Sequence, residues 1–232
     1  MFTIRKANDR GLTNIGWLYS RHSFSFGGYV DPKHHHYRTL RVINDDVIAG
    51  GGGFDPHPHR DMEIITYVLS GELQHQDSMG NGSAIRPGDW QKMSAGTGVV
   101  HSEYNASDDV PVHLLQIWIV PNKKGLTPEY AQQAVPEADK LGQWAVAASN
   151  DGRKGSIVLH QDATLNVATV RPGDAFGYDL GAGRGAWLQV ATGAIAVNGT
   201  RLDAGDALAI ENESRIDVTG IENGEVLLFD LA

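Results

Sequence analysis

Two short segments of the chain carry side chains that suit a metal ion. The first contains His57 and His59, and the second contains His101 and Glu103, each pair separated by one residue. Residues at positions i and i+2 of a β-strand point to the same face of a sheet, so each pair would present two donors together. If the two strands are neighbours in a barrel, all four side chains converge on one ion. Imidazole suits Fe, Cu, Zn and Ni, and a carboxylate adds a hard oxygen.

Composition excludes several classes of protein. The 232 residues include 28 acidic and 19 basic ones, and the net charge of −9 argues against nucleic-acid binders and polybasic membrane binders. The chain has no cysteine, which excludes disulfides, zinc ribbons and thiol nucleophiles, so metal ligands must be His, Asp or Glu. No apolar run approaches the ~18 residues of a membrane-spanning helix, and the first residues lack a signal-peptide stretch, which predicts a cytoplasmic protein.

Strand patterns dominate the sequence, and helical periodicity is scarce. Apolar runs such as 40–43, 64–69 and 112–120 end at Gly, Asn, Asp or Pro, and the 28 glycines suit frequent turns. Short strands at this spacing are typical of an all-β sandwich or barrel.

A weak internal repeat indicates two copies of one β-domain. Gly71 and, later, Gly88-Asp89 punctuate the strands of the first half, and Gly193 and Gly205-Asp206 do so in the second. The proline-containing stretch between the halves predicts a connection, with room for a helical turn near Pro128. The expected boundaries are an N-terminal domain at 1–126, a linker at 127–144 and a C-terminal domain at 145–232.

Around the histidines the sequence resembles the cupin signature, whose family folds as jelly-roll type β-barrels. The first cupin motif, G-x5-H-x-H-x3–4-E-x6-G, is similar to the stretch from Gly51 to Gly71. The second motif, G-x2-H-x3-N, matches the stretch from Gly98 to Asn105. The resemblance implies two tandem cupin barrels, an architecture called a bicupin.

The first half is most similar to the pirin branch of the cupins. The resemblance covers roughly residues 1–120, whereas the second half shares the general pattern and the stretch 227–230. The segments that carry the resemblance are His22–Phe26, Leu40–Asp46, His57–Glu63, His75–Gly80, Ser94–Gly98, His101–Asn105 and Gln116–Trp118.

One acidic residue of the first motif is out of phase with the general cupin pattern. The usual carboxylate ligand lies seven residues before the turn glycine Gly71, where this chain has Ile64, and Glu63 lies one residue earlier. A shift of one residue moves a strand side chain to the opposite face of the sheet. We therefore expect Glu63 to lie outside the metal site. Glu103, on the same face as His101, takes the carboxylate role, as it does in the pirins that the chain resembles.

The second half lacks an equivalent ligand set. Aligning the turn glycines of the two halves places Asp179 and Gly181 where His57 and His59 stand, and no histidine follows residue 206. We expect the C-terminal domain to be a degenerate cupin without metal, and the protein to bind one divalent metal ion per chain.

Resemblance to the pirins implies quercetin 2,3-dioxygenase activity, in which O2 opens a flavonol to a depside and carbon monoxide. The expected ligands are His57, His59, His101 and Glu103. The resemblance favours Fe(II), and the donors also suit Mn, Ni, Cu, Co and Zn. Glu103 would in addition take the proton of the flavonol 3-hydroxyl as a general base.

Two other functions stay open at the level of sequence. A regulatory or redox-sensing protein would use the metal and act through protein partners, because a net charge of −9 disfavours direct contact with DNA. A different metal-cupin reaction, such as an isomerisation or another ring cleavage, would use the same site. Consumption of O2 with a phenolic substrate distinguishes an enzyme from a regulator.

Overall fold

The computed structural model describes residues 1–232, and its regular secondary structure is almost entirely β-strand, so the all-β prediction is confirmed. The chain divides into two compact units, one formed by residues 11–134 and the other by residues 1–10 and 135–232. Its single α-helix, α1 (Glu137–Lys140), is one turn long. None of the helices has the length and apolarity that crossing a membrane requires.

The strands are numbered in chain order. Those up to residue 134 are β1 (Phe2–Arg5), β2 (Gly11–Asn14), β3 (Leu18–His22), β4 (Leu40–Ile48), β5 (Gly53–His59), β6 (Glu63–Ser70), β7 (Leu73–Asp77), β8 (Gly82–Ile85), β9 (Asp89–Ser94), β10 (Val99–Asn105), β11 (Val112–Ile119) and β12 (Glu129–Ala134). The later ones are β13 (Ala145–Ser149), β14 (Ile157–Val158), β15 (Ala163–Val170), β16 (Ala175–Asp179), β17 (Gly185–Thr192), β18 (Ala194–Val197), β19 (Thr200–Asp203), β20 (Ala207–Ile210), β21 (Arg215–Gly220) and β22 (Gly224–Leu231). Short 3-10 turns cover Ala7–Asp9 and Arg153–Gly155.

The N-terminal unit contains two antiparallel sheets. The larger has the strand order β12-β9-β6-β11-β4-β3-β2, and the smaller has the order β5-β10-β7-β8. Along β10 buried residues alternate with more exposed ones, and His101 and Glu103 belong to the buried set. This alternation follows from the two-residue period of a strand and turns both side chains toward the interior of the unit.

The C-terminal unit repeats this topology in its central strands, whereas the outer ones differ, since β14 pairs with β13 in parallel and β2 pairs with β3 antiparallel. Its sheets have the orders β1-β20-β17-β22-β15-β13-β14 and β16-β21-β18-β19, so β16 and β21 correspond to β5 and β10. The turn glycines Gly71 and Gly193 correspond as well. Both adopt positive φ, and a Cβ on either would lie within 2.7 Å of a backbone carbonyl oxygen. The repeat predicted from the glycine spacing is therefore present in the fold.

The unit boundaries differ from those predicted. Residues 129–134, assigned to the linker, form strand β12, which pairs with the edge strand β9, and no helical turn forms there. Residues 1–10 belong to the C-terminal unit, because β1 pairs with β20 at the edge of the larger sheet. Both are edge strands, each held by backbone hydrogen bonds to one neighbouring strand. Such bonds do not depend on the type of side chain, so the polar sequence of β12 shows little of the alternation by which a strand is predicted.

Candidate metal centre

Three histidines converge where β5 and β10 run side by side. The two strands are antiparallel neighbours, with His57 directly opposite His101 and His59 opposite Val99. The ring centroids of His57 and His101 are 4.5 Å apart, those of His57 and His59 are 4.8 Å apart, and those of His59 and His101 are 4.9 Å apart. One nitrogen from each ring lies within 4.8 Å of the other two. The rings are therefore arranged to share one ion.

Hydrogen bonds define which ring nitrogens can act as donors to a metal. Nδ1 of His57 lies 2.8 Å from the carbonyl oxygen of Asp55. Because a carbonyl only accepts, that nitrogen carries the proton and Nε2 keeps its lone pair. Nδ1 of His101 faces the ring of His75, whereas its buried Nε2 has no hydrogen-bond partner.

Burial keeps two of these rings neutral. Loss of solvent, together with the proximity of His57, lowers the pKa of His59 to about 4. Burial and the neighbouring histidines lower the pKa of His101 to about 3. Near neutral pH both rings thus hold a free lone pair, and a buried nitrogen without a partner is costly unless something binds it. Neutral imidazoles and an unpartnered Nε2 fit a divalent metal ion.

Glu103 lies on β10 two residues beyond His101, past a β-bulge in the pairing with β5. Thr66 donates its hydroxyl to Oε1 at 3.2 Å, and the Gln116 amide donates to Oε2 at 2.9 Å. Burial raises the pKa of Glu103 to about 7, and the nearby carboxyl of Asp46 raises it as well. The two hydrogen bonds act in the opposite direction. A carboxylate oxygen of Glu103 lies within 4.8 Å of a ring nitrogen of His101 and of one of His75. Glu103 therefore groups with His75 and His101 and not with the set of His57, His59 and His101.

Glu63 lies on the side of β6 away from the three histidines. The next residue, Ile64, lines the cavity described below, and Glu63 does not. The Ser94 hydroxyl donates to Glu63 at 3.0 Å, and the Lys92 ammonium is 3.8 Å from the same oxygen. The one-residue offset read in the sequence thus corresponds to opposite faces of one strand.

The three histidines and Glu103 line a cavity of about 380 Å³. Its walls are largely apolar, and a cavity of this size and character suits a planar aromatic molecule. The remaining lining side chains are, on the apolar side, Leu18, Phe26, Phe54, Ile64 and Trp118, and on the polar side, Thr13, Ser20, His22, Asn44, Asp46 and Gln116.

Polar residues of the larger sheet form a row across neighbouring strands. Thr66, Gln116, Asn44 and His22 are directly paired in that order on β6, β11, β4 and β3. Nδ1 of His22 lies 2.8 Å from the Asn44 side-chain oxygen, and its Nε2 lies 2.8 Å from the Thr13 hydroxyl. The sequence motifs assign no role to Thr66 or Gln116, although Gln116 belongs to a segment that carries the pirin resemblance. Their signal is a polar side chain that interrupts an otherwise buried apolar strand.

Asp46 is a second buried carboxyl group of the cavity that the sequence analysis did not single out. Its side chain is buried, and Oδ1 has no hydrogen-bond partner. Burial raises the pKa of Asp46 to about 7, with a hydrogen bond from Ser20 acting in the opposite direction. The folded protein therefore binds a proton here between pH ~4 and pH ~7 that the unfolded chain has released.

The metal-free Asp46→Asn variant should unfold at a higher temperature than the metal-free wild type at pH 8. Because the folded-state pKa of Asp46 is raised, the wild type loses stability as the pH rises from ~4 through ~7, and the amide removes this loss. We expect a gain of about 4 °C or more at pH 8 and little gain near pH 4. Thermal unfolding at both pH values tests this, and an equal difference at both would contradict it.

Comparison with known proteins follows the same division of the chain. A family model described as "Pirin" matches residues 4–119, and one described as "Quercetinase C-terminal cupin domain" matches residues 146–231. The chain is 46% identical to quercetin 2,3-dioxygenase of Escherichia coli (strain K12), with 100% of this chain and 99% of the relative covered.

Solved structures agree with these matches. The crystal structure of YhhW from Escherichia coli is 46% identical, with a TM-score of 0.96 and coverage of 100% of this chain and 98% of the other. The structure of the bacterial pirin YhhW from Escherichia coli in complex with nickel(II) is 45% identical, with a TM-score of 0.95 and coverage of 100% and 99%. By sequence over its whole length and by fold, the chain belongs to the pirin family.

Proposed function

We propose that this protein is a metal-dependent dioxygenase that opens flavonols such as quercetin with O2, giving a depside and carbon monoxide. The observation that carries the proposal is the meeting of three imidazoles and a buried carboxyl group in one cavity with apolar walls. The Escherichia coli relative that is 46% identical is named quercetin 2,3-dioxygenase, and the second half matches a quercetinase domain model, which supports the same activity.

His57, His59, His101 and Glu103 are the proposed ligands. A divalent metal ion held there would supply a Lewis acid that favours ionisation of the flavonol 3-hydroxyl. Iron(II) is our first candidate for this chain, and the related Escherichia coli pirin binds nickel(II). The donor set also suits Mn, Cu, Co and Zn.

Glu103 is the proposed general base. A pKa raised to about 7 allows the carboxylate to take a phenolic proton near neutral pH, and Thr66 and Gln116 hold it in place. Phe26 and Trp118 pack edge to face with ring centroids 5.4 Å apart, and they would border the flat rings of the substrate and exclude water.

We propose that the metal is confined to the N-terminal unit. In the C-terminal unit, the alignment of the turn glycines puts Asp179 at the position of His57. The side chain of Asp179 is exposed and forms an ion pair with Arg215 at 2.6 Å. The side chains that face the core from these strands are apolar or aromatic: Phe176, Tyr178, Ile216 and Val218.

The purified protein should therefore bind about one metal ion per chain. Only one of the two units offers a cluster of imidazoles, and apolar and aromatic side chains face the core from the corresponding strands of the other. Metal analysis after removal of loosely bound ions tests this. A ratio near two would contradict a metal-free C-terminal unit.

The proposed activity is tested by preparing the protein without metal, under anaerobic conditions, and loading it separately with each candidate ion. We expect the loaded protein to consume O2 and release carbon monoxide with quercetin, and the metal-free protein to do neither. Full loading without turnover of any flavonol or catechol would refute the dioxygenase proposal and favour a regulatory protein that acts through protein partners.

A further inference from the structure

A fourth histidine, His75, lies directly behind His101. Its side chain on β7 is fully buried, and its Nδ1 is 3.5 Å from Nδ1 of His101. Strand β7 pairs with β10, which places His75 opposite Glu103 and Asp77 opposite His101. Because β10 lies between β5 and β7, His75 approaches His101 from the side opposite to the strand that carries His57 and His59.

Asp77 is held rigidly at the end of β7. Its Oδ1 accepts hydrogen bonds from the backbone N–H groups of Met79 at 2.9 Å and Asn81 at 3.0 Å. Its Oδ2 accepts one from the Asn81 side-chain amide at 2.9 Å, and it also lies 3.3 Å from Nε2 of His75. Because an ionised carboxylate only accepts hydrogen bonds, the proton of this last contact belongs to His75 Nε2.

The position of one proton then determines the next. A neutral imidazole has one N–H and one lone pair. If Nε2 of His75 donates to Asp77, its Nδ1 has the lone pair and accepts from Nδ1–H of His101. That leaves Nε2 of His101 with a lone pair, and this buried atom is the one that has no hydrogen-bond partner.

We propose that Asp77 and His75 form a hydrogen-bonded relay that holds His101 in the tautomer with a free Nε2, and that they thereby set the affinity of the site for its metal. The inference rests on the metal site proposed above. Outer partners of this kind fix the orientation of a ligating imidazole and raise its basicity. His75 and Asp77 act here as positioning residues.

Another role for His75 is separable by experiment. One nitrogen of His75, one of His101 and a Glu103 oxygen also lie within 4.8 Å of one another, so His75 could bind an ion directly. If His75 were a direct ligand, its removal would raise the Kd by more than ~10²-fold, whereas Asp77 would be only its outer partner and have a smaller effect. A relay depends on Asp77 as strongly as on His75.

The Asp77→Asn variant isolates the proton chain. The asparagine oxygen can still accept from the backbone of Met79 and Asn81, and a flip of the Asn81 side-chain amide turns its oxygen toward the new NH2 group, so the turn is retained. Its NH2 group would donate to His75 Nε2 and reverse both tautomers, which would place a proton on Nε2 of His101. We expect the Kd for nickel(II), measured by competition with a chelating dye, to rise ~10- to 100-fold, the usual effect of an outer partner of a ligand.

His75 itself is tested with two variants and a matched control. His75→Ala should weaken nickel(II) binding by a similar ~10- to 100-fold. His75→Gln, whose amide oxygen can accept from His101, should recover part of the affinity. Gln76→Ala changes an exposed neighbour on the same strand and should bind as the wild type does. Thermal unfolding of each metal-free variant verifies that it is folded.

Three results would overturn the relay. Kd values within twofold of the wild type for both Asp77→Asn and His75→Ala would exclude it. A Kd raised more than ~10²-fold in His75→Ala, together with a clearly smaller rise in Asp77→Asn, would make His75 a direct ligand. His59→Ala tests the underlying site. If His59→Ala, Asp77→Asn and His75→Ala all bind nickel(II) as the wild type does, the proposed metal site fails and the relay fails with it. If binding is weakened in His59→Ala and in neither of the other two variants, only the relay is refuted.

Discussion

Replacement of Glu103 by glutamine should leave most of the metal in place and reduce flavonol turnover by ~10²-fold or more. Three imidazoles remain to hold the ion, because each is a strong neutral donor. The amide is nearly isosteric with the carboxylate and can keep hydrogen bonds with Thr66 and Gln116. It cannot accept the proton of the flavonol 3-hydroxyl. Steady-state O2 uptake by wild type and variant at matched metal content measures the effect.

The pH dependence of this variant separates a lost base from a damaged site. At higher pH more of the flavonol is already ionised, so the turnover of Glu103→Gln should rise with pH and partly recover. A variant that had lost substrate binding would gain nothing from this ionisation. Turnover equal to that of the wild type at all pH values would remove Glu103 as the base.

Replacement of His59 by alanine should remove most of the metal and, with it, the activity. The imidazole of His59 is held beside the Trp118 ring, with centroids 5.0 Å apart, and burial keeps it unprotonated. Loss of one of the three imidazole ligands should raise the Kd for nickel(II) by more than ~10²-fold, beyond the range expected for an outer partner. Metal analysis after dialysis and dye competition both measure it.

The matched control is Glu63→Gln. Glu63 is an acidic residue four positions from His59 that lies on the other side of its strand, with Ser94 and Lys92 as neighbours. Its metal content should equal that of the wild type. Loss of metal in Glu63→Gln, together with full metal and activity in Glu103→Gln, would reverse the proposed assignment of the carboxylate ligand.

Several features of the site could be predicted from single strands. The i, i+2 spacing puts His57 with His59 and His101 with Glu103, because the side-chain period of a strand is two residues. The same rule separates Glu63 from Ile64, and the structure has Ile64 lining the cavity. These inferences need no knowledge of which strands are neighbours.

Edge strands were harder to predict. The polar sequence of 129–134 is typical of a linker, and the short segment 2–5 is not predicted as a strand, yet both segments are strands. Each is stabilised by backbone hydrogen bonds to a sheet edge; β12 has little apolar alternation of its own, and β1 is only four residues long. A local pattern therefore understates the strand content at the edges of both units.

By itself, the sequence determined the all-β class, the two-fold repeat and the residue types able to bind a metal, since these depend on composition and on a two-residue period. Only the tertiary structure decided which strands lie together. That pairing puts His101 opposite His57, brings Thr66 and Gln116 to Glu103, and places His75 behind His101. These contacts join residues that are 13 to 44 positions apart in the sequence. Which strands become neighbours in a sheet depends on the packing of the whole unit and not on local periodicity.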